Sequence, residues 1–299
     1  VIEDLKLFPK ALLKDQKIEG KILKEFLISE IIVNVLIRKF KKVSISNLLW
    51  YLDGPFKDLV KKILLNDERV DINQENQDEK TTFFIACQEG ETEIVELLLN
   101  DKRVDVNKID NFGQTPFRIA CYQRHIDIVK LLLNDKRVDI YKARRMFENT
   151  PLYIACEKGH FDVVQILLSD ERVDINQSGF LWKTPFYNAC ENGHIEVVTL
   201  LLKDKSIDVN KANSFGSTPF YNACRNGHID IVKLLLNDKR VDINKVTNEG
   251  ETPFWIACQE GHIEIVKLLL NDQELISIKH KLKEQHLFLL LVKMDILIL

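Results

Sequence analysis

Thr218-Pro219-Phe220-Tyr221-Asn222-Ala223-Cys224-Arg225-Asn226-Gly227-His228-Ile229-Asp230-Ile231-Val232-Lys233-Leu234-Leu235-Leu236 decides how this chain folds, because it is one of six copies of a single phrase. The opening threonine stands at Thr81, Thr115, Thr150, Thr184, Thr218 and Thr252, at intervals of 34, 35, 34, 34 and 34 residues. Within the quoted copy, the Thr218 hydroxyl can cap a helix, and Pro219 fits the first helical position, where its missing N–H costs nothing. Phe220, Ala223 and Cys224 are predicted to face a core, and Gly227 to end the helix in the left-handed conformation. His228–Leu236 is apolar over more than half of a helical surface, so it has to be buried on several sides, with Lys233 marking the wet side. Asn237-Asp238-Lys239-Arg240 then leads into the alternating, extended Val241-Asp242-Ile243-Asn244, and Thr247-Asn248-Glu249-Gly250 turns the chain back. Each repeat reads as helix, tight turn, helix and a projecting hairpin-like loop.

A fixed period of this size is the mark of stacked modules, none of which can cover its own apolar surface. Such an array evades the usual estimate of about two domains for 299 residues, because each module contacts only its neighbours. A hydrophobic content of 45% is ample for a shared core. The net charge of −3 argues against nucleic acid as a partner. The Asn-Asp-Lys-Arg runs starting at Asn100, Asn134 and Asn237 largely cancel their own charge and read as a solvated edge.

All six cysteines, Cys87, Cys121, Cys156, Cys190, Cys224 and Cys258, occupy one slot of the repeat. Equivalent positions on stacked helices lie about 8–10 Å apart, beyond the roughly 7 Å a disulfide tolerates. They read as small buried thiols in a reducing, cytoplasmic compartment. Cys121 with His125, and the equivalent pairs, have a Cys-x-x-x-His spacing that metal ligands also use. A turn separates the two residues, however, and the pair recurs with the period, so no metal or other cofactor is expected. The most apolar stretches, Phe26–Phe40 and Leu287–Leu299, fall short of the ~20 residues of a membrane span and carry charges, so no membrane insertion is expected. Nor is there a glycine-rich phosphate loop, a His-Glu-x-x-His, or a nucleophile set apart from the repeat, and the chain is not expected to be an enzyme.

Five copies, Thr115-Pro116-Phe117, Thr150-Pro151-Leu152, Thr184-Pro185-Phe186, Thr218-Pro219-Phe220 and Thr252-Pro253-Phe254, each followed by alanine at the sixth place, resemble the Thr-Pro-Leu-His-x-Ala phrase of ankyrin repeats. Gly159, Gly193, Gly227 and Gly261, each before a histidine, fit the same pattern. The resemblance implies an all-α ankyrin-type solenoid of about seven repeats over residues 45–278. A degenerate first copy is expected at Ser46–Trp50 and Leu59–Leu65. Residues 1–44 are expected to be a helical cap or the remnant of another domain, and 279–299 an apolar tail or capping helix. The chain departs from the family in its longer period. It also has Phe84, Arg118, Tyr153, Tyr187, Tyr221 and Trp255 where the family has histidine, a column open to inter-repeat stacking or to binding.

Ankyrin arrays imply a monomeric, non-catalytic scaffold that holds a protein partner by hairpin tips and by the concave face of the first helices. The positions that break the pattern are the candidates. Arg144, Arg145, Met146 and Phe147, then Phe180, Leu181 and Trp182, replace the small or polar residues of other tips, and arginine and tryptophan are enriched in binding hot spots. Tyr122 and Arg225 follow the cysteine at places such arrays commonly use for recognition. Phe180 and Trp182 are equally open to folding back onto neighbouring hairpins. A second expectation is a regulatory array from a larger enzyme or channel, motivated by the valine start and the abrupt apolar end.

Overall fold

The computed structural model describes residues 71–142 and 149–271. The chain forms two compact units, residues 1–144 and 145–299. In the first lie α1 (Thr82–Glu89), α2 (Thr92–Leu99), α3 (Pro116–Tyr122) and α4 (Ile126–Asn134). In the second lie α5 (Pro151–Lys158), α6 (Phe161–Leu167), α7 (Pro185–Glu191), α8 (Ile195–Leu201), α9 (Pro219–Arg225), α10 (Ile229–Leu236), α11 (Pro253–Gln259) and α12 (Ile263–Leu270). Among the described residues there is no strand; in the segment predicted to be extended, Val241-Asp242 is irregular and Ile243-Asn244 is a turn. Its alternation survives as burial, with Val241 and Ile243 inside. The predicted boundaries near residues 44 and 278, and the degenerate first copy, lie outside the described residues.

Within each unit the helices pack in a repeating scheme. Each first helix lies against its own second helix and against the first helix of the next repeat, and second helices pack on second helices. The threonine cap is made in every copy: Thr81, Thr115, Thr150, Thr184, Thr218 and Thr252 each accept from the backbone N–H three residues on, at 3.1–3.2 Å. A cap of this kind contributes about 0.5–2 kcal/mol. The core of one repeat is Phe220, Tyr221, Ala223 and Cys224 from the first helix, with Ile231, Val232 and Leu235 from the second. All six cysteines are free and buried. Burial pushes their thiols up, Cys258 to about 12, so none is a thiolate at neutral pH.

Three polar devices tie neighbouring repeats together. The first uses the histidine that opens four of the second helices, α4, α8, α10 and α12. His125 Nε2 donates to the Gln88 carbonyl at 3.0 Å, His194 to Glu157 at 2.9 Å, His228 to Glu191 at 2.9 Å and His262 to Arg225 at 2.8 Å. The acceptor is always the residue after the cysteine of the preceding repeat. The ring lies over that repeat's terminal glycine: a Cβ added to Gly193 would come within 2.7 Å of His228 Cε1. Glycine is required there twice over, by its positive φ of 80° and by the imidazole above it.

The second device is an asparagine that reads the next loop in two directions. Asn210 Nδ2 donates to the Arg240 carbonyl at 2.6 Å, and Oδ1 accepts from the Asp242 N–H at 2.8 Å. Asn73, Asn107 and Asn176 do the same one repeat apart. The third corrects the reading of Asn-Asp-Lys-Arg as merely a solvated edge. Arg137 chelates its own Asp135 at 2.6 Å, and donates to the Leu99 and Asp101 carbonyls at 2.7 and 3.3 Å. Arg240 repeats this on Asp238, Leu202 and Asp204. A second helix leaves its last carbonyls without partners, and the arginine of the next repeat supplies donors at that end.

Candidate functional site

Three first helices of the second unit, α7, α9 and α11, are capped at their starts by Thr184, Thr218 and Thr252, so the residues three places on, Tyr187, Tyr221 and Trp255, stand in register one repeat apart. Tyr187 and Tyr221 are buried to 1% and 2% exposure, yet each phenol keeps a polar outlet on the following hairpin. Asn213 Nδ2 donates to Tyr187 Oη at 2.7 Å, and Tyr221 Oη donates to Glu251 Oε2 at 2.6 Å. Burial pushes both phenols above their ordinary value, Glu191 or Glu251 adding to the effect and Arg225 opposing it. They are neutral donors and acceptors at physiological pH. At Tyr187 and Tyr221 the aromatic column, left open between stacking and binding, thus links a first helix to the next loop.

Between these helices and their hairpins runs a groove of about 410 Å³. Leu181 and Phe215 supply apolar walls, Tyr187 and Tyr221 the floor, and Asn213, Asn222 and Asn248 amide groups. Its charges are unequal in their freedom. Lys183 Nζ pairs with Glu191 Oε2 at 2.6 Å and sits 5.3 Å above the Tyr187 ring. Glu251 is held by Tyr221. Arg225 and Glu249 form no side-chain ion pair or hydrogen bond among the described residues, and both are exposed.

The hairpin tips above the groove are laced edge to edge. Ser214 N–H donates to the Leu181 carbonyl at 2.9 Å, and Asn248 N–H to the Phe215 carbonyl at 3.0 Å. Where three other tips place Gly113, Gly216 and Gly250 at φ near 80°, this one places Trp182, at φ 63°, directly after Leu181 at φ 55°. Two successive bulky residues in the left-handed region cost about 1–2 kcal/mol each. The turn is held by the Phe180 N–H on Asn149 Oδ1 at 2.9 Å, by Gly179 N–H on the Lys183 carbonyl at 2.9 Å, and by the Ser214 bond.

Of the residues singled out from the sequence, Leu181 and Arg225 meet in this groove. Phe180 and Trp182 do not line it; they flank Leu181 on its tip, 59% and 61% exposed. Phe215, 59% exposed, joins them, although nothing but its place on a tip distinguished it in the sequence. Tyr122, 42% exposed, belongs to the first unit. Arg144, Arg145, Met146 and Phe147 lie outside the described residues. Thr115, Thr150, Thr184, Thr218 and Thr252 serve as caps, and Gly159, Gly193, Gly227 and Gly261 as left-handed turn residues. The Cys-x-x-x-His pairs hold no metal geometry among the described residues: the thiols are buried in the core and four of the imidazoles serve as backbone clamps. Among the same residues no helix is long and apolar enough to cross a membrane.

A family model described as ankyrin repeats, in three copies, matches residues 51–144, 137–213 and 205–280. No curated protein sequence matches the chain.

Proposed function

The chain belongs to the ankyrin repeat family, whose members are generally protein–protein interaction modules, and from that premise we propose that it is a non-catalytic scaffold holding a polypeptide partner along the groove and hairpin tips of residues 180–251. The observation that supports this most is the coincidence of a groove with exposed Phe180, Trp182 and Phe215 on two adjoining tips. A soluble surface rarely gathers large apolar side chains without a partner to cover them. Exposed Arg225 adds a directional contact of the kind that fixes a partner's register. Tyr122, on the first unit, is a further contact in this reading.

Monomeric and cytoplasmic are part of the same proposal. Six buried free thiols, spaced so that no two bridge, suit a reducing compartment.

The test is capture by the tagged 299-residue chain from cell extract, with identification by mass spectrometry, repeated with Phe215→Asp. Phe215 is exposed, so the variant is expected to keep its circular dichroism and lose the captured protein. Retention of the same protein by Phe215→Asp overturns the reading.

A further inference from the structure

The tip at Phe180–Trp182 differs from its neighbours in a way the stacking of repeats does not require. Trp182 fills a slot in which Gly113, Gly216 and Gly250 adopt positive φ freely, whereas an L side chain there is strained. In the first unit Glu79, at φ 59°, fills the same slot with a solvated side chain. Trp182 gains little burial in return, being 61% exposed, and Phe180 beside it is 59% exposed. Strain kept without a packing return is found where a side chain is wanted for contact with something else. Three backbone-directed hydrogen bonds, from Phe180 N–H, Gly179 N–H and Ser214 N–H, hold the turn so that its presentation is fixed before any encounter.

The groove next to the tip carries charges that its own residues only partly neutralise. Lys183 is neutralised by Glu191, and Glu251 is engaged by Tyr221. Arg225 is therefore the one groove cation with no partner among the described residues, and Leu181 of the strained tip lines the same groove. Glu249, the groove anion without a partner there, stands on the next tip and repels a uniformly acidic occupant.

Resting on the scaffold reading above, we infer that Trp182 and Phe180 are a pre-formed aromatic anchor for a segment of the partner that packs an apolar side chain on the tip and places a single carboxylate against Arg225. Leu181 and Phe215 extend the apolar contact along the groove, and the amides of Asn213 and Asn248 border it.

The experiment selects twelve-residue random peptides displayed on phage against the full chain. The best binders are then synthesised, together with versions whose Asp or Glu is replaced by Gln or Lys. Affinities are measured for the wild-type chain, Trp182→Gly and Arg225→Gln, with thermal midpoints recorded for all three. Selected peptides are expected to share one large apolar residue and one carboxylate. Trp182→Gly is expected to weaken binding by about tenfold or more while its midpoint stays level or rises, since glycine relaxes the turn. Arg225→Gln is expected to abolish the preference for the carboxylate over glutamine. Undiminished affinity in Trp182→Gly, a lowered midpoint in that variant, or an unchanged carboxylate preference in Arg225→Gln overturns the inference. A library yielding no binder overturns it as well, while the scaffold reading still stands or falls on protein capture.

Discussion

Replacing Gly193 by alanine isolates the contact that ties one repeat to the next. The new methyl carries two penalties. At φ 80° an L residue costs about 1–2 kcal/mol. The Cβ would also lie 2.7 Å from His228 Cε1 and 2.8 Å from Nδ1, so the imidazole has to move and the 2.9 Å bond to the Glu191 carbonyl is strained or lost. Overpacking typically costs about 1–3 kcal/mol, and a neutral hydrogen bond contributes about 0.5–1.5 kcal/mol. Gly261 provides the control: its φ is 79°, yet among the described residues a Cβ there meets nothing within 4 Å. Gly261→Ala is therefore expected to lose about 1–2 kcal/mol and Gly193→Ala about 2–5 kcal/mol. Urea unfolding followed by far-ultraviolet circular dichroism measures both, and His228→Ala added to Gly193→Ala is expected to recover part of the excess. Equal losses at the two glycines would refute the idea that the histidine and glycine form an inter-repeat clamp.

Other outcomes follow from the same geometry. Asn210→Ala removes bonds of 2.6 and 2.8 Å to the next loop and is expected to destabilise by about 1–3 kcal/mol in the same urea assay; an unchanged midpoint contradicts the ladder. Because burial raises all six thiols, a thiol reagent at pH 8 is expected to label none in the native chain and six in guanidinium, whereas rapid native labelling would show the thiols to be accessible. Asp101, Asp135, Asp170 and Asp238 lie below the ordinary carboxylate range because of hydrogen bonds from their own arginines, and Asp204 because of one from Ser206. A lowered folded value stabilises the native state above the unfolded value of about 3.9, and that contribution disappears as pH falls further. The thermal midpoint is accordingly expected to hold from about pH 6 to 5 and to drop below about pH 4, and a rise on acidification would contradict the aspartate assignments.

The repeat, its helices and its caps were legible because their causes are local: Thr218 reaches an N–H three residues on, and Gly227 turns the chain beside itself. The clamps were not, because their partners lie 30–38 residues away and include a backbone carbonyl that any sequence would offer. In the sequence His228 is simply part of a helix start, and Asn210 carries no mark of its own. Each recurs in register with a feature of the preceding or following copy, and that was the available signal. The groove was half visible. Leu181 broke the pattern and Arg225 holds a post-cysteine place that such arrays use for recognition, whereas Phe215 followed the pattern and became significant only when the tips were seen side by side. The strain at Trp182 could have been found by aligning the tips on Gly113, Gly216 and Gly250, which puts a tryptophan in a glycine slot.

Hydrogen–deuterium exchange of the 299-residue chain, alone and with the protein it captures, tests the interaction surface most directly. The structure predicts new protection over residues 180–191, 213–225 and 247–251, with the second helices α8 and α10 unchanged. Protection confined to α8, α10 or the Asn-Asp-Lys-Arg loops, with the tips still exchanging freely, would contradict the account.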